Sequence, residues 1–224
     1  MKAIIYSKYG GPEVLRLEET EKPSPKDDEV LIRNYAVSLN DWDFGLMQGD
    51  FVNRILNGLR KPKRKILGSD IAGRIEAVGK NVTRFKIGDQ VYGTSFKKFG
   101  AYAEYICLPE NAMISPKPAT LSYNEAAVIP FGGSTALHFL RTAKVQAGQK
   151  VLIYGASGAV GTSAVQLAKY FGAEVTAVCS TANAELVRSL GADQVIDYTK
   201  EDFSKSGITY DIVFDAVGKS PFSA

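Results

Sequence analysis

Tyr154-Gly155-Ala156-Ser157-Gly158-Ala159-Val160-Gly161 is the stretch whose reading decides the fold. Before it runs Val151-Leu152-Ile153-Tyr154, apolar throughout, the pattern of a strand buried on both faces. After it a helical pattern continues to Phe171 and stops at Gly172. A glycine-rich turn between a buried strand and a helix is the setting in which a dinucleotide pyrophosphate is held. Gly158 lets the pyrophosphate approach the backbone, and Gly161 lets helix and strand pack closely. Ser157, Ala159 and Val160 complete the turn at the helix N-terminus, where free N–H groups and the positive dipole end favour an anion. Ala156 stands in place of the fingerprint's first glycine, so the bare string is a partial match. A tight turn with no ligand uses the same glycines.

Working outward from the turn, strand and helix signals alternate. Glu174 to Val178 is the next strand, Ala184 to Leu190 a helix ending at Gly191, and Val195-Ile196 and Asp211 to Asp215 two more strands. This predicts an α/β fold with a Rossmann-type doubly wound parallel sheet over 119–224. Four strands are counted where a complete dinucleotide fold has six, so the C-terminal end is expected to be truncated, leaving a sheet edge uncovered after Ser220-Pro221-Phe222-Ser223-Ala224. Ser122 to Arg141 has a helical pattern, interrupted at Pro130 and Gly132-Gly133. Residues 1–118 have another texture: short apolar runs such as Val30 to Val37 and Ile71 to Gly79, broken by glycine, proline and aspartate. That reads as a β-rich domain, with glycines 68, 73, 79, 88 and 93 suited to bulges and turns of a small curved barrel.

Bulk properties exclude several classes. Charged residues make up 23% and the net charge is +3, a balance that singles out neither nucleic acid nor an anionic membrane as a partner. No apolar run approaches the roughly 20 residues of a membrane helix, and no signal peptide opens the chain, so a cytoplasmic location is expected. Cys107 and Cys179 are read as small apolar fillers and His138 as a helix-packing residue. One histidine and two cysteines cannot assemble a Cys/His structural zinc site in one chain, so no metal is expected. Arg60-Lys61-Pro62-Lys63-Arg64-Lys65 is the densest basic run, a solvated loop in the plain reading and a nucleic-acid contact in the other.

The end of the second α/β strand speaks to the cofactor. An NAD site places a carboxylate there for the ribose 2′-hydroxyl, whereas this chain reads Val178-Cys179-Ser180-Thr181. A 2′-phosphate meets no repulsion, and Ser180 can donate to it, so NADPH (NADP) is expected. The nearby cation such a site favours is missing, with Ala182 and Asn183 in its place.

The chain resembles the zinc-free quinone oxidoreductase (zeta-crystallin-like) branch of the medium-chain dehydrogenase/reductase superfamily. The carriers are Leu67-Gly68-Ser69-Asp70-Ile71-Ala72-Gly73, Lys86 to Gly93, Gly100-Ala101-Tyr102-Ala103-Glu104-Tyr105, Pro130 to Ala136 and Leu190 to Tyr198. The resemblance implies an N-terminal GroES-like substrate domain (1–118), a Rossmann domain (119–224) and an active site in the cleft between them. Zinc-dependent members carry a ligand cysteine where this chain has Asn40, and Gly-His-Glu where it has Gly68-Ser69-Asp70. Without a Lewis acid, alcohol oxidation fits poorly, and hydride transfer to a quinone or α,β-unsaturated carbonyl fits better.

The resemblance further implies catalytic-cleft roles for Asn40, Trp42 and Asp43, a nicotinamide contact for Thr135, and a place beside the 2′-phosphate for Asn183 and Tyr198. Val217 and Gly218 would lie over the nicotinamide ribose. Asn40 and Asp43 read equally well as turn and cap residues. The expected partner is a small quinone or enone, with no nucleic acid and no membrane, and with a homodimer if the missing C-terminal part is present. The alternatives are a catalytically weak NADPH-binding or RNA/partner-binding module, and an NAD(P)-dependent alcohol dehydrogenase.

Overall fold

The computed structural model describes residues 1–205 and 207–218, which form two compact units divided between Pro130 and Phe131. Ser206 and residues 219–224, including the stretch from Ser220 on which an uncovered edge was expected, lie outside the described residues.

The first unit opens with β1 (Lys2–Ile5) and β2 (Arg16–Glu19), an antiparallel pair. Its main sheet uses β3 (Glu29–Val37), β4 (Asp70–Val78), β5 (Gln90–Thr94), β6 (Tyr105–Pro109) and β7 (Met113–Pro116) in the antiparallel order β6-β3-β4-β5-β7. Val30, Ile32, Ile71, Ile75, Val91 and Leu108 fill its core, each at most 1% exposed. The register between β3 and β4 shifts at Asn34/Ala36, the kind of bulge the glycines foretold.

Two short helices of this unit were not legible in advance. Asn40 caps α1 (Asp41–Gln48), and Gly49, at φ 66°, ends it. Asp50 caps α2 (Phe51–Asn57) through the Asn53 amide, and Gly58 follows. Helices of two turns have little periodicity to read, and their caps carry the signal instead.

Ser122, in a reciprocal capping box with Glu125, starts α3 (Tyr123–Ala127), which packs Ala126 and Ala127 against Ala72 of β4. That packing places the helix in the first unit, so the compact body extends past 118. The expected interruption at Pro130 and the glycine pair is corrected. The break falls at Val128, and α4 (Ile129–Thr142) runs straight through. Pro130 is the second helical residue, where the missing N–H leaves no intrahelical bond unmade. Gly132 is retained because a Cβ there would meet the Ala159 carbonyl oxygen at 2.4 Å. His138 is solvent-exposed on α4 with its ring edge-on to Phe139, not packed between helices.

The second unit is a four-stranded, wholly parallel sheet of β8 (Lys150–Tyr154), β9 (Glu174–Cys179), β10 (Gln194–Asp197) and β11 (Ile212–Asp215). The order β10-β9-β8-β11 reverses direction at β8. Between its strands lie α5 (Ala159–Tyr170) and α6 (Ala184–Ser189). Val151 and Ile153 pack with Ala164, Val165 and Ala168 of α5, while Leu152 joins Val178 and Ile196 on the opposite face. No helix among the described residues is long and apolar enough to cross a membrane.

Candidate functional site

Parallel strands align their carboxyl ends, and a sheet whose order reverses has a crevice outside those ends at the reversal point. Here that point is the end of β8, occupied by the turn 155–158 and the start of α5. Gly155 and Ala156 donate their amides to the Val178 carbonyl oxygen (3.1 and 3.0 Å), which ties the turn to β9. Ala156 is fully buried with its N–H thus engaged, so it holds the turn and faces the core. A Cβ on Gly161 would stand 2.2 Å from the Gly155 oxygen and 2.7 Å from the Ala156 Cα, both backbone atoms that cannot swing aside. Gly158 is different. A Cβ there would meet only the Gly155 oxygen, at 3.6 Å, so this position faces open space. As the N-cap of α5 it contributes no side chain, and the first-turn N–H groups of Ala159 and Val160 face outward uncapped.

The other strand ends bring predicted residues to the same crevice. Asn183 donates to Ser157 Oγ (3.3 Å) and Ser180 Oγ (3.2 Å), joining the turn to the end of β9. Tyr198, half-exposed, donates its amide to the Cys179 oxygen at the end of β10. At the end of β11, Asp215 Oδ1 accepts the amides of Val217 and Gly218 (both 2.8 Å), and Val217 lies against Gly155. Thr135, on α4, lines a cavity of about 480 Å³ with Phe139, Val160, Phe214, Asp215 and Ala216.

Sequence reasoning missed Thr181, Asp197 and Lys200. Asp197 Oδ2 accepts the Thr181 hydroxyl, its Oδ1 accepts the Thr199 hydroxyl at 2.7 Å, and Lys200 Nζ lies 3.5 Å from Oδ2. The hydroxyl donors hold this carboxyl well below the usual range. A cation therefore does stand near the β9 end, delivered from the next strand together with the Asp197 carboxylate it pairs with. The signal was available, since Thr199 and Lys200 directly follow Tyr198.

In the first unit the segment 38–43 is built from side-chain hydrogen bonds. Asn40 Oδ1 accepts the amides of Trp42 (3.1 Å) and Asp43 (3.3 Å), and Asp43 Oδ2 accepts the Asn40 amide in return (3.2 Å). The same Asp43, 3% exposed, also accepts the Tyr102 hydroxyl (2.7 Å) and the Gly68 amide (3.1 Å). Burial pushes its carboxyl up despite these donors, and burial beside that carboxylate pushes the Tyr102 phenol far up. Gly68, at φ 89°, has no room for a Cβ against the Tyr102 ring (2.4 Å). Trp42 is half-buried, edge-on to Phe96 and Phe99. The remaining donor of the cluster, Asn40 Nδ2, reaches Ser69 Oγ at 3.3 Å.

Profiles of known families match both units: the alcohol dehydrogenase GroES-like domain over residues 26–119, and the zinc-binding dehydrogenase family over 159–224. A chloroplastic quinone-oxidoreductase homologue of Spinacia oleracea is 38% identical over the whole of this chain and 70% of its own length. The chain belongs to the quinone oxidoreductase branch of the medium-chain dehydrogenase/reductase superfamily. The solved structure of the quinone oxidoreductase from Coxiella burnetii superposes with a TM-score of 0.88 at 38% identity, covering 97% of this chain and 69% of that one. The Arabidopsis thaliana chloroplastic NADPH-dependent alkenal/one oxidoreductase is 40% identical over 97% of the chain. This chain spans 58% of that relative's length.

Within the superfamily, the resemblance placed Asn40 and Ser69 where zinc-dependent members carry metal ligands, and here the two side chains bond to each other. The next residue, Asp70, is 1% exposed and accepts the Ser38 hydroxyl at 2.9 Å. Among the described residues, no three His, Cys, Asp or Glu side chains converge as a metal site. Cys107 and Cys179 are both buried and unpaired, with burial pushing their thiols up.

Proposed function

We propose that this chain carries the NADPH-binding and acceptor-binding elements of a reductase that transfers hydride to quinones or α,β-unsaturated carbonyls without zinc. The observation that carries the reading is the glycine turn at the β8 reversal point, joined through Asn183 to a β9 end bearing hydroxyls where an NAD site bears a carboxylate. The name of the Arabidopsis relative agrees in both cofactor and substrate class.

The residues fit a dinucleotide. The space in front of Gly158 admits a pyrophosphate, and the uncapped amides of α5 supply donors to it. Ser180 offers a hydroxyl to a 2′-phosphate, Thr181 and Lys200 would turn to it from the Asp197 carboxylate that holds them here, and the Tyr198 ring gives the adenine side a face. Val217 and Gly218 border the ribose side, and the cavity at Thr135 takes the nicotinamide end. When bound, NADPH supplies the hydride.

Asn40 has the role nearest to chemistry. As hydride adds to the acceptor carbon, negative charge gathers on its oxygen, and an amide N–H aimed at that oxygen stabilises it. Nδ2 of Asn40 is such a donor, with only a long bond to Ser69 to give up. A proton completes the reduction, and water reaching the site can supply it. Asp43 is a positioning residue: both its oxygens are engaged in the core, where they fix α1 and hence Asn40. Trp42 shapes the wall beside it. Two buried free thiols fit a reducing compartment such as the cytoplasm.

Fluorescence titration with NADPH and NADH tests the cofactor half directly. Tighter binding of NADPH, by about tenfold or more, is expected, since a charged contact to the 2′-phosphate contributes about 1.4 kcal/mol. Equal affinities, or preference for NADH, would remove the assigned role of Ser180, Thr181 and Lys200.

A further inference from the structure

The chain's overall charge gives no reason to expect an anionic partner, but the charge is unevenly placed. Segment 50–66 holds six basic side chains (Arg54, Arg60, Lys61, Lys63, Arg64 and Lys65) against one acid, Asp50. That local excess is larger than the net +3 of the whole chain, so the remainder is net negative. Among the described residues, none of these six basic side chains is in an ion pair.

The same segment exposes an apolar face. Phe51, Val52, Ile55 and Leu59 are 77, 63, 58 and 65% exposed. Phe51 and Ile55, four residues apart, lie along one side of α2 beside Val52, and Leu59 follows just past the helix end at Gly58. The opposite side of α2 is pinned. Asn57, fully buried, donates to the Tyr6 hydroxyl (2.7 Å), while its oxygens accept the amides of Arg64 (3.1 Å) and Lys63 (2.6 Å). Tyr9 donates to the Gly58 oxygen (2.6 Å), and Arg54 lies over the Tyr9 ring while bonding the Gly49 oxygen. Pro62 is buried between its exposed basic neighbours. The basic run is thus folded back onto the end of the helix that presents the apolar side chains, and both are held in one geometry.

Exposed aliphatic and aromatic side chains close in the chain to exposed Lys and Arg are what an anionic lipid surface recognises. The apolar groups enter the acyl boundary, and the cations stay among the headgroups. Nucleic acid matches the charge but offers nothing to Val52, Ile55 and Leu59. We infer that α2 and the basic segment 60–65 form a docking surface for an anionic membrane, on which the protein sits peripherally. An apolar quinone or enone dissolved in that membrane would then reach the protein without crossing water. The surface itself does not depend on the reductase reading.

Cosedimentation with vesicles tests it. The purified protein is expected to pellet with equal parts phosphatidylcholine and phosphatidylserine at about 0.1 M salt, and not with phosphatidylcholine alone. Raising the salt to about 1 M shortens the Debye length from about 10 to about 3 Å and should release it. The pair Lys61→Glu and Lys63→Glu should lower affinity at least about twentyfold, at roughly fivefold per cation removed. Phe51→Ser with Ile55→Ser should lower it about tenfold while leaving the salt dependence in place. All four side chains are exposed, so unchanged circular dichroism is expected, and the wild-type lipid and salt dependence needs no variant. Failure to pellet with phosphatidylserine at low salt would overturn the inference, as would both variants pelleting as well as the wild type. So would a dimer in vesicle-free solution that Phe51→Ser abolishes, or RNA binding tighter than lipid binding and indifferent to Ile55.

Discussion

The two units build their sites from different material. In the second, the crevice at the end of β8 is made of backbone: glycines that admit neighbours, amides that point outward, and strand ends that meet because the sheet is parallel. In the first, the segment 38–43 and the loop at Gly68 are made of side chains, with Asn40, Asp43, Ser69 and Tyr102 holding one another. A backbone site is damaged by adding atoms and a side-chain site by removing them.

The sharpest way to break that contrast is to add one carbon. Gly161→Ala places a methyl 2.2 Å from a backbone oxygen, so the turn must open. A loss of about 3 kcal/mol in denaturant unfolding is expected, with NADPH affinity down about a hundredfold. Gly158→Ala makes the contrast finer, because its methyl meets only open space. Stability should hold within about 0.5 kcal/mol while the same titration shows weaker cofactor binding. Removing atoms is the counterpart in the first unit. Asp43→Ala strips the acceptor from the Tyr102 hydroxyl and from the amides of Gly68 and Asn40, and about 3 kcal/mol should be lost in chemical denaturation.

That difference in material also decided what the sequence could disclose. Backbone sites are written as glycine spacing, so the turn, its strand and the order of elements behind it were readable from 151–161 and the alternating pattern beyond. Three parallel strand ends converge only in space, yet a residue was named on each: Ser180 from the absent carboxylate, Tyr198 and Val217 from the resemblance. Side-chain sites are written as ordinary polar residues. Nothing in Asn40 or Asp43 distinguishes a capping box from a loop until α1 is seen, and the partners Ser69 and Tyr102 lie 29 and 59 residues away along the chain. Lys200 escaped because the cation was sought along the β9 loop, where the fingerprint puts it, and not on the neighbouring strand. The helix break was misplaced because Pro130 was read as an interruption where its position in the first turn makes it harmless.

Smaller effects sharpen the cofactor side. Lys200→Ala should weaken NADPH about tenfold in the fluorescence titration and leave NADH unchanged, since only the former carries the 2′-phosphate. A carboxyl held below its unfolded range stabilises the fold above that range and loses the contribution as pH falls through its folded pKa. Asp197 is such a group, held down by the hydroxyls of Thr181 and Thr199. Melting temperature should therefore fall on acidification below about pH 4, and Thr181→Val should reduce that acid-dependent part.

The central claim is hydride transfer from NADPH to a conjugated acceptor with no metal involved. Its most direct measurement is oxidation of NADPH by a small quinone and a small enone, before and after exhaustive treatment with a zinc chelator. Turnover of either acceptor that is faster with NADPH than NADH, and unchanged by the chelator, is the expected result. Activity lost to the chelator and restored by zinc, or oxidation of an alcohol with NAD in place of enone reduction, would contradict it.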